Sequence, residues 1–569
     1  MPKVFVFGLD GATFDLILPW VAEGKLPHFA RLLAEGSWSP LESVPNMRSP
    51  AAWTSFMTGQ NPGKHGIFEF YEPVPQTYGL RFVHGGMRKS KSLWTLLSEQ
   101  GKRVGVINVP MTYPAETVNG FLIAGLDAPG VESSGFCYPP QLMRELQERF
   151  GPYILEPGLT GYLIGGKLDL AVQKLREELA QKEAITTYLM QEYPWDFFMV
   201  VFRSLDAVQH CFWKFMDPLH PQHDPDEAAR YGTVILETYQ QIDQSLGKIW
   251  AMLDEETVLL VMSDHGFGRK HPANNQLNHW LASQGFLHYT HEREGKKTVQ
   301  ELSLALLKHL YRFLIGKTPR TAKEKLARWF PQLRNRVQSR LCFAHIDWSR
   351  TKAYSDTLFP NIWINLIGRE AQGTVSPEEY GEVIDQLRQA LAGCRDAVSG
   401  RRIVERVFHR DELYSGPYVE KAPDLLIRWK EDEVIQGIAL PDQEKEAADA
   451  VEETRPLIPG EDPRIISGDH RLHGVLLMAG PPVRRGVQLA QARLIDLAPT
   501  ILALLDLPIP ADMDGRVLEE AWQEEMRSAW TPSYRDAEPA SPPLHPGEDY
   551  SKEEEEEIAK RLRDLGYLD

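Results

Sequence analysis

The chain alternates short, almost wholly apolar runs with longer stretches whose apolar residues recur every three or four positions. The runs are Val4–Leu9, Val104–Val109, Phe121–Ala124, Phe197–Phe202, Val258–Met262 and Val475–Met478, several of them ending at Gly or an acidic residue. Unbroken apolarity over so short a run predicts a strand buried on both faces, and the helical periods between runs predict helices that cover it. The expected fold class is α/β, a large mostly parallel sheet sandwiched by helices.

Residues 1–270 read as one continuous core. Beyond them Thr298–Cys342 carries Leu302, Leu306, Leu310, Phe313 and Leu314 at helical spacing, and 351–440 reads as a small α+β unit. In that unit IWINLI and DLLIRW are the expected strands, around a helix from roughly Pro377 to Ala392. The core pattern returns near Ile465. We therefore expect a core of residues 1–270 and 441–530, interrupted by an inserted cap, 271–440, helical over 271–350 and α+β over 351–440. Residues 531–569 read as a linker and C-terminal helix, because Thr531–Pro546 is rich in Pro, Ser and acidic residues and Glu553–Glu557 suits a solvated helix start.

Composition narrows the picture. With 43% hydrophobic and 25% charged residues among 569, the chain is an ordinary soluble globular protein. A formal net charge of -17 argues against general nucleic-acid binding through a basic surface. The opening MPKVFVFGLDGATF is interrupted too soon for a signal peptide, and no stretch approaches the about 18 apolar residues of a membrane span. Cys137, Cys211, Cys342 and Cys394 are widely spaced without a CxxC, which suggests neither a disulfide framework nor a thiolate zinc site. A cytoplasmic location is the default expectation, and nothing in the sequence indicates an oligomeric state.

Candidate chemistry collects where strands end. Asp10 closes the first strand, where α/β sheets place ligands; alone, Asp10-Gly11 is better read as a strand-ending turn. In VPNMRSPAAWTSFMTGQNPGKHG, Ser49 reads as the N-cap of a helix with Pro50 first and Gly59 as its stop. A helix N-terminus would stabilise an alkoxide or phosphoryl group there, although plain capping is the commoner use of the pattern. FRSLDAVQH sets Asp206 and His210 four apart, on one face of a helix, where a pair can grip a metal ion. TVLLVMSDHGFG ends a strand in Asp264-His265, and SGDHRLHGVLLMAGP sets His470 and His473 ahead of another strand.

The order of a strand-end Asp, a Ser opening a helix that runs to T-G-x-x-P-x-x-H-G, a D-x-x-x-H, a D-H-G and a late G-x-H resembles the alkaline phosphatase superfamily. WTSFMTGQNPGKHGIFEF looks like its type I phosphodiesterase/nucleotide pyrophosphatase branch, and DLAPTILALLDLPIPADMDGRVL resembles that superfamily's closing helix and loop. The resemblance implies a two-metal hydrolase of phosphoesters, with phosphodiesters the expected substrates and a phosphoseryl intermediate on Ser49. By the same resemblance one metal would be held by Asp206, His210 and His470, and the other by Asp10, Asp264, His265 and the Ser49 oxygen. His473 is the competing choice for the last ligand. Such oxygen and nitrogen donors suit zinc, with manganese a substitute. Many members carry a Thr nucleophile followed three residues later by an Asn that holds a phosphate oxygen. Here those places are Ser49 and Ala52, which leaves Asn46, Arg48, Lys64 or Arg203 for that contact.

A phosphomonoesterase, phosphonate hydrolase or phosphomutase would use the same site. A sulfatase is disfavoured, because its C/S-x-P-x-R motif needs Arg where Trp53 stands. Gly316-Lys317-Thr318 lacks the upstream Gly of a nucleotide-binding loop. A reading from another class is a non-catalytic, metal-scaffolded binding protein. Its motive is Lys308–Arg340, with ten Lys or Arg against one acid, Glu324. With the apolar LSLALLKHLYRFLI, residues 302–340 suit peripheral membrane contact or a cap helix with a solvated basic face.

Overall fold

The first strand, Lys3–Leu9, is buried from Val4 onward. Burial on both faces requires cover from both sides, which an apolar strand in mid-sheet obtains from helices. In the computed structural model, which describes residues 3–290, 343, 346–356, 359–431, 433–441, 466–537 and 550–564, this strand sits inside a 10-stranded sheet. It pairs in parallel with Phe197–Phe202 on one side and Thr257–Ser263 on the other. Val104–Val109 and Gly120–Ala124 extend the parallel part. His473–Ala479 joins antiparallel to Thr257–Ser263, and Ser37–Glu42 follows it toward the edge. The fold is α/β with a large, mostly parallel central sheet flanked by helices.

Helices Leu168–Glu192, Ser204–Met216 and Val234–Met252 pack together, and Ser49–Thr58 packs with Leu93–Glu99 and Leu497–Leu504 as a second group. Among the described residues no helix is long and apolar enough to cross a membrane.

A second apolar cluster forms within residues 273–438. Its sheet is antiparallel, in the order Ala353–Tyr354, Asn361–Ile364, Leu425–Trp429, Val404–His409. Helices Ala273–Ser283 and Tyr380–Ala392 supply Leu277, Trp280, Leu387 and Leu391 to the same cluster. This unit is tied to the main body by a Lys421–Glu72 ion pair and by the Tyr418 amide, which donates to the Gly63 carbonyl. Residues 302–340 lie outside the described residues, as do 442–465.

The end of the chain is more engaged than a linker would be. Tyr534–Arg535 pairs in parallel with Ile509–Pro510. Helix Lys552–Asp564 buries Ile558 and Leu562 in the main core, while Arg561 donates to the carbonyls of Leu126, Ala128 and Pro129. The acidic run thus opens a docked helix, whose apolar spacing was hidden beneath its charge.

Candidate active site

Strand ends and one helix start converge at a single edge of the sheet. Asp10 follows the first strand, and its amide donates to the Phe202 carbonyl at 3.0 Å. Asp264 and His265 follow Thr257–Ser263, and Asp206 and His210 lie on helix Ser204–Met216. His470 arrives on Gly468–Arg471, which pairs antiparallel with Gly266–Arg269 and sets His470 opposite Phe267. This ribbon passes so close to its neighbours that a Cβ on Gly468 would stand 2.4 Å from the Gln209 carbonyl oxygen, and one on Gly266 2.1 Å from that of His473. Glycine is required at both positions by close approach.

Ser49 is the first helical residue of Ser49–Thr58 rather than its cap. The cap position falls on Arg48, with extended backbone and no side-chain cap bond, and Pro50 is consequently second. The Ser49 Oγ lies 3.3 Å from His265 Nε2.

Three imidazoles share one orientation. His210 Nδ1 lies 2.9 Å from the Gly468 carbonyl, His470 Nδ1 2.7 Å from that of Met47, and His265 Nδ1 3.0 Å from that of Gly266. A carbonyl only accepts, so each Nδ1 carries the proton and donates it, which turns Nε2 inward. His210 Nε2 and His470 Nε2 stand 3.1 Å apart. Two lone pairs at that distance repel unless a cation joins them. Asp206 Oδ1 is 3.2 Å from the first and 3.3 Å from the second. Met47 holds its carbonyl in place with a positive φ of 52°, a conformation a non-glycine residue adopts at a cost.

The carboxylates are deeply buried. Asp10 Oδ1 and Asp264 Oδ2 make no hydrogen bond, and they lie 3.4 and 3.3 Å from His265 Nε2. Burial and the charge of Asp10 push the Asp264 carboxyl well above its usual range. Against its own burial, His265 is raised to about 9 by Asp264 and Asp10, while burial and the charge of His265 lower His470 to about 4. Asp206, despite burial, is held well below the usual range by His210, His470 and Arg203. Asp206 and His470 therefore meet as carboxylate and neutral imidazole, not as an ion pair. A proton on His265 Nε2 and a metal ion beside it are alternative answers to the same carboxylate charge.

Ligand atoms of Asp206, His210 and His470 lie within 4.8 Å of one another, as do those of Asp10, Asp206 and His265. Asp206 thus stands between the two groups, and Asp264 reaches the second through His265. Oxygen acceptors without hydrogen bonds beside inward imidazole nitrogens fit divalent cations such as zinc or manganese.

The cations expected to grip a phosphate oxygen are placed elsewhere. Arg203, 2% exposed, donates from Nε to Asp10 Oδ2 and from Nη2 to Asp206 Oδ2, both at 3.1 Å. It clasps the outer oxygens of Asp10 and Asp206 and so braces two candidate ligands. Lys64 binds Asp514 and the Asp512 carbonyl, away from the cluster. Arg48 donates to Glu69, and Asn46 Nδ2 to the Phe68 carbonyl, although both line the cleft beside His470. His473 begins its strand exposed, opposite Glu42, outside both ligand groups.

A family model described as type I phosphodiesterase / nucleotide pyrophosphatase matches residues 4–448. The chain belongs to that family. As a member of the type I phosphodiesterase family, within the alkaline phosphatase superfamily, it is a hydrolase of phosphoric esters. The matched span holds Asp10 through His265 and stops short of His470. A comparison with curated proteins gives no match. Among solved structures the chain is similar to murine ectonucleotide pyrophosphatase / phosphodiesterase 5, at 12% identity and a TM-score of 0.46, covering 92% of this chain and 100% of that one. The human protein of the same description gives 12%, 0.45, 91% and 98%.

In this phosphodiesterase the histidine of T-G-x-x-P-x-x-H-G is structural: His65, fully buried, meets Ser55 Oγ at 2.9 Å and accepts the Ile67 amide. The sequence reading missed Glu69, whose partner Arg48 adjoins Ser49, and His271, which lines the cleft. Glu69 stands 21 residues from Arg48, with no spacing to announce it.

Proposed function

We propose that the protein hydrolyses phosphodiesters through a covalent phosphoseryl intermediate on Ser49, with two divalent ions, zinc or manganese in its place. One would be held by Asp206, His210 and His470, the other by Asp10, Asp264, His265 and Ser49 Oγ; when bound they supply Lewis-acid charge to the attacking and leaving oxygens. The observation that carries this reading is the common orientation of the three imidazoles, Nε2 inward among buried carboxylates, with the Ser49 hydroxyl at their edge.

Ser49 opens a ten-residue helix. Pro50 has no N–H and the Ala52 amide donates to the Arg48 carbonyl, so the amides of Ser49 and Ala51, together with the helix dipole, favour negative charge on Oγ and on an attached phosphoryl group. Oγ forms a bond to phosphorus as one ester P–O bond breaks, and the departing alcohol takes up a proton. Water then cleaves the seryl P–O bond, which restores the hydroxyl and releases the phosphate monoester.

The test is turnover of bis(p-nitrophenyl) phosphate by protein stripped with a chelator and reloaded with zinc or manganese, with acid-quenched samples analysed by peptide mass. We expect turnover only after reloading, and a p-nitrophenyl phosphoryl group on the Ser49 peptide. Full turnover in metal-free protein, or in Ser49→Ala, overturns the reading.

A further inference from the structure

Close to the Arg203 clasp lies a buried ion pair that the proposed chemistry does not use. Glu178 and Lys182 stand one turn apart on helix Leu168–Glu192, and each is 1% exposed. Their charged atoms are 3.9 Å apart, beyond hydrogen-bond reach. Lys182 Nζ instead donates to the Tyr153 hydroxyl at 2.7 Å, and Glu178 Oε1 makes no hydrogen bond. Burial raises the Glu178 carboxyl and lowers the Lys182 ammonium to about 8. A pair so loosely joined recovers little of what its burial costs, and two apolar side chains would serve the fold as well or better. Its presence requires a reason beyond its own helix.

The other oxygen of Glu178 supplies one. Oε2 accepts the hydroxyl of Ser204, which is the first residue of helix Ser204–Met216 and the chain neighbour of Arg203. Asp206 follows two residues later. The charge of Arg203 also acts on Glu178. Arg203 therefore answers three carboxylates, Asp10 and Asp206 by hydrogen bonds and Glu178 by charge. A guanidinium bonded to two carboxylates neutralises part of the charge that a metal ion would otherwise meet, and a further anion near that guanidinium offsets the loss. The Arg203 charge reaches Glu156 as well, but Glu156 is partly exposed, accepts the Gly158 amide and also answers Arg561.

We propose that Glu178 is a positioning residue for the candidate metal cluster. Through Ser204 it fixes the start of the helix that carries Asp206 and His210, and its charge offsets that of Arg203. Asp10 and Asp206 thus keep their attraction for a cation while the guanidinium holds them in place. Lys182 shares the Glu178 charge and so leaves Arg203 on its two carboxylates. The inference rests on the metal reading above.

The experiment is calorimetric titration of chelator-stripped protein with zinc, alongside thermal midpoints, for the parent, Glu178→Gln, Arg203→Met and the double variant. Glutamine keeps an acceptor for Ser204 and removes only the charge. We expect Glu178→Gln to weaken zinc binding about tenfold. In the Arg203→Met background the same change should alter zinc binding less than about twofold, because the charge acts through Arg203. A merely structural pair would lower the thermal midpoint in both backgrounds and leave this coupling absent. Since Glu178→Gln leaves Lys182 buried without its counter-charge, Glu178→Gln/Lys182→Met is titrated as well; its midpoint should return toward the parent's while its zinc affinity stays low. Parent-like zinc affinity in Glu178→Gln or in Glu178→Gln/Lys182→Met, or an equal loss with and without Arg203, overturns the inference alone. A parent that binds no zinc overturns it together with the metal reading.

Discussion

Asp127 and the pair Asp10 and Asp264 are carboxylates buried close to strand ends of one sheet, and they have opposite fates. Asp127, 1% exposed, accepts the amides of Gly85, Thr112 and Tyr113 at 3.1, 3.2 and 2.9 Å. Backbone amides meet both of its oxygens. Asp10 and Asp264, both at 0%, each retain an oxygen without a hydrogen bond, turned toward His265. Burial is common to both places. What separates a structural carboxylate from one poised for a cation is whether amides or imidazole lone pairs surround it.

Substitutions on the two sides of this comparison should therefore differ in what they damage. The largest effect is expected from Ser49→Ala, with turnover falling on the order of 10⁴ or more and a small change in thermal midpoint, because Ser49 lies inside the helix and the cap position falls on Arg48. Retained turnover in a steady-state assay would move the chemistry away from Ser49. Asp264→Asn replaces a charged hard ligand with an amide and is expected to weaken zinc binding more than about a hundredfold, read by calorimetric titration of stripped protein. Arg203→Met should cost about 10- to 100-fold in the same titration, since it frees the outer oxygens of Asp10 and Asp206; zinc affinity equal to the parent's would make the clasp incidental.

Asp127→Asn is expected to leave zinc binding alone and lower stability by about 1–3 kcal/mol. It also carries a pH signature. Burial raises the Asp127 carboxyl from 3.8 to about 6, so the folded state holds a proton that the unfolded state releases between those values. Its contribution is full below about pH 4 and is lost as pH rises through about 6. The stability difference between parent and variant, from urea melts, should therefore shrink across that window; a difference that grows would reverse the assignment.

Much of this was legible because strand ends and helix starts leave local marks. Asp10, Asp264 and His265 each follow an apolar run, and the i, i+4 spacing of Asp206 and His210 needs only a helix to bring them together. The cations were not legible. Arg203 and Lys64 take partners as far as 193 and 450 residues away in the chain, and no local pattern encodes such distances. The carbonyls of Gly468, Met47 and Gly266 that orient the imidazoles were equally hidden, since every residue has a carbonyl. His470 was preferred to His473 on the resemblance alone, and the ribbon pairing that sets His470 opposite Phe267 supplies the physical separation. The docking of helix Lys552–Asp564 was not legible, because the five successive glutamates read as its solvated start outweigh Ile558 and Leu562 on any average of polarity.

The bond from His470 to the Met47 carbonyl spans 423 residues, and that separation translates into time. A ribosome adding about 5–20 residues per second needs about 20–85 s to travel from one partner to the other. Throughout that interval the serine and four of the inward ligands emerge in turn while the last imidazole is still unmade. A newly synthesised molecule therefore gains the last of these candidate ligands only once residue 470 has been made, and a ribosome stalled before that point leaves behind a polypeptide with Ser49 but without the finished cluster.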